Sequence, residues 1–172
     1  MEHWIVYDAA TGAPLYPGSG SHGAAALQMV PEGAALLVVP PQVMTTDWPN
    51  INLAPLRASL ATKVDQQAEQ IRMLFLTAGA GQAMTYTRKE AEARARLADP
   101  DAPTPFLSLE AVARGMTVDE LAAEVVGQAD QWVTIGSAIE ALRMGAKSAI
   151  AAASTLPDLV TASTVDWQAI GS

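Results

Sequence analysis

The sequence predicts an α+β chain: a small N-terminal antiparallel β module followed by an α-helical bundle with one long C-terminal helix. Three observations predict it. Short apolar runs punctuated by Gly and Pro turns occupy about the first forty residues, the signature of short strands. Leu53, Leu56, Leu60, Val64, Ala68, Ile71 and Leu74 recur at steps of three and four, a near-heptad helical stripe. A longer stripe with the same spacing runs from Val118 through Leu121, Val125, Trp132, Ile139 and Leu142 to Ile150. These patterns divide the chain into 1–50, a β module with its linker; 51–155, the helical bundle; and 156–172, a C-terminal tail.

His3 to Asp8 holds Trp4, Ile5, Val6 and Tyr7, a run of strong β-formers, so it is expected to be a strand. Ala10-Thr11-Gly12 turns the chain, Ala13 to Tyr16 returns as a second strand, and Pro17-Gly18-Ser19-Gly20-Ser21 is expected to break it. Ala24 to Met29 is expected to form a helical turn across the sheet. Ala34 to Val39 is the strongest strand signal, bounded by the Pro31-Glu32-Gly33 turn and by Pro40-Pro41. A three-stranded sheet of this size is marginal alone and needs a helix or a second chain against it. Gln42 to Asn50 lacks periodicity and is expected to be an extended linker, with Trp48 plugging a domain or subunit seam.

Asn52 is placed to cap the first helix, with Pro55 in its first turn. Gly79 and Gly81 are expected to end it. Met84 to about Ala98 resumes helix with charged pairs at i and i+4. Asp99 to Pro105 is a stiff connector, and Ser108 to Arg114 is a short helix closed by Gly115. Thr117-Val118-Asp119-Glu120 is a capping box that opens the long helix. Roughly 37 residues there would give a rod of ~55 Å. Leu156-Pro157 is expected to break the chain into a tail whose Val165 and Trp167 are suited to docking.

The chain has 172 residues, half of them hydrophobic, enough to bury a core. Asp and Glu outnumber Lys and Arg by 18 to 10, a formal charge of -8, which argues against nucleic acid or an anionic membrane as the main partner. No cysteine is present, which excludes disulfides and cysteine-based metal or nucleophile sites. The N-terminal residues lack a basic n-region with a long apolar run, and no segment reaches the ~18 apolar residues of a membrane span. A soluble protein made in the cytoplasm is therefore expected.

Candidate chemistry is sparse. His3 and His22 have no helical partner suited to zinc. The Gly20-Ser21-His22-Gly23 loop lacks the lysine of a phosphate loop and the spacing of a nucleophile elbow. The segment Ser19 to Gly23 is all that would support a small hydrolase. Gly79-Ala80-Gly81-Gln82 has no preceding strand. Asp119, Glu120 and Glu124 suit a helix N-terminus better than a catalytic pair. Leu107 to Val126 has the outline of a helix-turn-helix, but its second helix opens with acids where a DNA reader needs bases. No cofactor, metal or catalytic residue is assigned.

The run Gly81 to Arg94, then Leu97-Ala98-Asp99-Pro100, Gly115-Met116-Thr117, Ala129-Asp130-Gln131-Trp132 and Ile139 to Lys147 resembles the helical region of small tail-fibre-associated proteins of tailed bacteriophages and prophages. The resemblance covers about Leu53 to Ala153. Trp4-Ile5-Val6-Tyr7-Asp8 with Thr11-Gly12 is similar to the short β modules that open tail-fibre proteins. The resemblance carries no catalytic motif. It implies a non-enzymatic structural component of the tail fibre or tip, located in the virion tail after synthesis in the host cytoplasm. The alternative is a tail-fibre assembly chaperone absent from the mature particle. Expected partners are other phage tail proteins and further copies of the chain, possibly as a trimer, with no nucleic acid and no membrane insertion. The interface candidates are Trp4, Trp48, Leu56, Leu60, Val64, Ile71, Ile139, Leu142, Ile150 and Trp167. A single rod longer than its intrachain partners would leave Ile139, Leu142 and Ile150 for other chains to cover.

Overall fold

The computed structural model describes residues 1–76 and 80–170. Three strands, β1 (Glu2–Asp8), β2 (Pro14–Gly20) and β3 (Ala34–Val39), are followed by α1 (Leu53–Met73), α2 (Ala80–Ala98), α3 (Pro105–Arg114), α4 (Val118–Ala152) and α5 (Leu156–Ser163). The sheet is antiparallel in the order β2-β1-β3. An α+β architecture with a long helix near the C-terminus is thus what the sequence forms.

The chain divides into two compact units, Met1–Glu69 with Ala141–Trp167, and Gln70–Glu140 with the chain end from Gln168. The expected segments 1–50, 51–155 and 156–172 do not coincide with these units. The physical reason is that the small sheet cannot bury its apolar face alone and recruits helical residues from far along the sequence.

In the first unit, β1 alternates strictly between two cores. Ile5 and Tyr7 face Val39, Val43, Leu56, Leu60, Val64, Ile150, Leu156 and Leu159, so one face of the sheet packs on α1, the end of α4, and α5. Trp4 and Val6 face the other way, into a smaller cluster with Ala25 from the 3₁₀ turn Ala24–Leu27. That turn is held by Glu2, whose carboxylate accepts from the Ala25 N–H at 3.0 Å. The predicted helical turn across the sheet is therefore present.

Strand β2 departs from expectation by continuing through Pro17, Gly18 and Ser19 to Gly20. Pro17 lies opposite Ile5, and Gly18 opposite Trp4. A proline at an edge needs no partner for its absent N–H, and the Trp4 indole fills the space that a side chain at Gly18 would take. Contacts from β1, which propensity does not register, thus override two strand breakers.

The linker before α1 is pinned by a bridge between Met44 and Ile51, and the Trp48–Pro49 peptide is cis. Asn52 Oδ1 accepts from the Ala54 N–H at 3.1 Å, which is the predicted cap. Asp65 accepts from Lys147 Nζ at 2.7 Å and from Arg143 at 2.6 Å, tying α1 to the distal part of α4. Arg57 donates to the Ala153 carbonyl at 2.7 Å, satisfying an orphan acceptor at the end of α4.

Leu156-Pro157 starts a helix where a tail was expected. Pro157 sits in the first turn of α5, and the Thr155 hydroxyl accepts from the Asp158 N–H at 3.3 Å. Proline is compatible there because a first-turn N–H has no intrahelical partner. Leu156 and Leu159 are fully buried. Val165 and Trp167 dock on the same core.

The second unit is built around Ala93, Leu107, Ala111, Leu121 and Ala122. Helix α1 ends at Met73, with Leu74 to Leu76 in a turn. Of the glycines expected to stop it, Gly79 lies outside the described residues, and Gly81 is inside α2. The capping box at α4 forms as predicted: Glu120 N–H donates to the Thr117 hydroxyl at 3.2 Å, and Glu120 accepts from Thr117 N–H at 2.8 Å. Those bonds to Thr117 hold the Glu120 carboxyl below its ordinary range. Trp132, a member of the predicted apolar stripe of α4, is only half-buried and lies along its own helix against Gly136.

Candidate functional site

The surface best suited to a partner lies on the second unit, where α2 and α3 leave apolar side chains uncovered. Thr104 and Pro105 open α3. Its first free N–H groups are satisfied from α2: the Glu92 carboxylate accepts from Phe106 N–H at 2.9 Å and from Leu107 N–H at 3.3 Å. Glu92 is buried, and its second oxygen faces Arg88 at 3.5 Å. A carboxylate at a helix N-terminus meets both unpaired donors and the positive end of the helix dipole. This contact fixes where α3 begins against α2. A second link, Lys89 Nζ to Glu110 at 2.6 Å, fixes its rotation.

With that rotation, Leu107 and Ala111 turn inward and are buried, while Phe106, Leu109 and Val112 form an outward stripe. Leu109 is 78% exposed and Val112 83%. Phe106 also closes a groove of about 850 Å³ whose floor is Gly81, Ala83, Met84, Thr85, Thr87, Arg88 and Ala91 of α2. In the same unit Met73, Leu74, Phe75 and Leu76 are four consecutive exposed apolar residues. Arg88 is the charged member of the groove lining.

Around this surface the acidic residues are engaged by arginines. Arg96 bonds Asp119 at 2.6 Å, Arg94 bonds Asp130 at 2.7 Å, and Arg114 bonds Glu124 at 2.8 Å. The hydrogen bond from Arg96 depresses the Asp119 carboxyl, and that from Arg114 depresses Glu124. The charged start of α4 is thereby committed to intramolecular pairs. Among the described residues no group of His, Asp and Glu gathers in a metal-binding arrangement. Ser21 and His22 are exposed in the turn before the 3₁₀ segment.

The interface candidates chosen from the sequence are placed elsewhere. Trp4, Leu56, Leu60, Val64, Ile139 and Ile150 are buried within the chain. Trp48, Ile71, Leu142 and Trp167 are half-buried. Trp48 and Trp167 pack on the core of the first unit, where Trp167 Nε1 donates to Gln67 at 3.4 Å. This corrects the expectation that the distal stripe of α4 waits for other chains. The Ile150 end is covered by β1, α1 and α5, so the apolar-patch argument for oligomerisation through that stripe loses its basis. The exposed residues of α3 are not legible in the sequence because periodicity groups apolar positions without showing which of them the fold covers. The available signal is that Phe106, Leu109 and Val112 recur at steps of three beside Leu107 and Ala111.

Compared with protein-family models, with curated proteins and with solved structures, the chain shows no match. Among the described residues no helix is long and apolar enough to cross a membrane.

Proposed function

We propose that this protein is a non-enzymatic structural component of a bacteriophage tail, associated with the tail fibre or tail tip and acting through protein–protein assembly. The observation that carries the reading is the outward stripe Phe106, Leu109 and Val112 beside the Met84 groove. A folded chain seldom leaves such side chains grouped on its surface unless another protein covers them. The direction toward a phage tail comes from the resemblance of Gly81 to Arg94 and Ile139 to Lys147 to tail-associated helical regions. An acidic chain of charge -8 suits protein subunits better than a nucleic-acid partner.

Mass spectrometry of purified virions tests the assignment. A stoichiometric amount of this chain in the particle is the expected result. Its absence from virions, combined with misfolded fibres on deletion of its gene, would transfer the assignment to a fibre-assembly chaperone. A triple variant with Phe106, Leu109 and Val112 replaced by Ser is expected to keep its helical circular dichroism and lose incorporation. Normal incorporation of that variant would remove the stripe from the interface.

A further inference from the structure

We infer that the open edge of β3 pairs antiparallel with β3 of a second copy, joining two three-stranded sheets into one continuous sheet across a two-fold axis. The inference rests on the sheet of the first unit and is independent of the phage-tail reading. Strand β3 pairs with β1 alone, opposing His3 to Asp8 with Val39 to Ala34. The Ala9 N–H donates to the Gly33 carbonyl at 2.9 Å, and these residues continue the same register. Antiparallel partners alternate between bonded and non-bonded pairs, so Ala35, Leu37 and Val39 bond to β1. Leu36 and Val38 direct their N–H and C=O groups outward. Among the described residues no hydrogen bond reaches those outward groups, and the Val38 side chain is 47% exposed.

The two edges of this sheet are built differently. On β2 the outward position opposite Ile5 is Pro17, which removes a donor and blunts the edge against further pairing. Strand β3 reads Ala-Ala-Leu-Leu-Val-Val, with no charge, proline or glycine. A continuous apolar run belongs to a strand covered on both faces, as here, where Leu36 packs with Trp4 and Val6 and Leu37 with the helical core; nothing along the edge itself blocks a further strand. What remains unmet is the outward backbone row.

A second copy fits that row. The Ala34 N–H is taken by the Pro31 carbonyl at 3.1 Å, so the register that uses both the N–H and the C=O of Leu36 and of Val38 is centred on Leu37. In it Leu36 and Val38 of one copy exchange N–H to C=O bonds with Val38 and Leu36 of the other. Like charges do not meet, because Glu32, the acidic residue just before the strand, falls opposite Gln42 of the other copy. Leu37 meets its own counterpart in a non-bonded pair, with Cα atoms about 4.5 Å apart.

Sedimentation velocity of the full chain from about 1 µM to about 200 µM tests the pairing. The expected result is a concentration-dependent shift from the 18.0 kDa monomer to a dimer. Val38→Pro deletes an outward donor without touching the β1 ladder, and Val38→Lys places charge at the edge. Each is expected to weaken self-association at least about tenfold while urea unfolding of the monomer stays close to wild type. If Val38→Pro fails to fold, Val38→Lys carries the test. Leu37→Cys gives a single cysteine in a chain that has none. Across the proposed register it is expected to form an intermolecular disulfide under mild oxidation, since the spacing suits one. A monomer at every concentration, folded Val38 variants that associate like wild type, or a dimer that does not cross-link through residue 37 would each overturn the inference.

Discussion

Trp4 lies directly over Gly18 on the neighbouring strand, in the space where a Gly18 Cβ would stand. The glycine is therefore required for its missing side chain, and the tryptophan supplies the apolar cover that the glycine lacks. Gly18→Ala should drive the indole from its site and cost about 1–3 kcal/mol, the range for overpacking. Gly127 in α4 is the control: nothing lies within 4 Å of an added Cβ, so Gly127→Ala should stabilise by roughly 0.5–1 kcal/mol. Urea unfolding of both variants checks the pair. Equal effects would mean that helix and strand propensity, and not the indole contact, govern Gly18.

Glu92 provides the second prediction. Removing its carboxylate leaves the Phe106 and Leu107 N–H groups without their acceptor near a buried core. Glu92→Ala should cost about 1–3 kcal/mol, and amide exchange at Phe106 and Leu107 should accelerate. Unchanged protection at these amides would show that solvent caps α3 equally well.

Asp65 should contribute to acid sensitivity, alongside Asp119, Glu120 and Glu124, whose carboxyls native hydrogen bonds also hold low. Hydrogen bonds from Lys147 and then Arg143 hold its carboxyl below the ordinary range. The folded state then releases this proton more readily than the unfolded chain, whose aspartates titrate near pH ~3.9. Its stabilisation is present above that value and is lost as the pH falls through the lower folded pKa. Asp65→Asn should therefore reduce stability at neutral pH and flatten the decline of stability below about pH 4. A wild-type decline retained in the variant would assign acid sensitivity to other carboxylates.

Trp132→Ala should be milder than a core truncation. With the ring half-buried against Gly136, a loss of about 1–2 kcal/mol is expected, against about 2–5 kcal/mol for Leu107→Ala in the fully buried cluster. Thermal or urea unfolding of the two variants ranks them. A larger loss at Trp132 would place its ring in the core after all.

Features whose physics is local are legible in the amino-acid pattern. The Thr117–Glu120 capping box, the Asn52 cap, the stop of β3 at Pro40 and the αL glycine after α3 each depend on side chains within a few residues of the backbone they control. Which apolar residues are covered is set by long-range packing, because coverage depends on partners distant in sequence. Ile150 is hidden by strands and helices from both ends of the chain. Pro17 and Gly18 remain in a strand because β1 supplies the ladder and the indole. Leu109 and Val112 are left in the open because Glu92 and Lys89 set the rotation of α3. Periodicity tells which residues share a stripe, but the same stripe can meet a core or a partner, and only the three-dimensional packing distinguishes them.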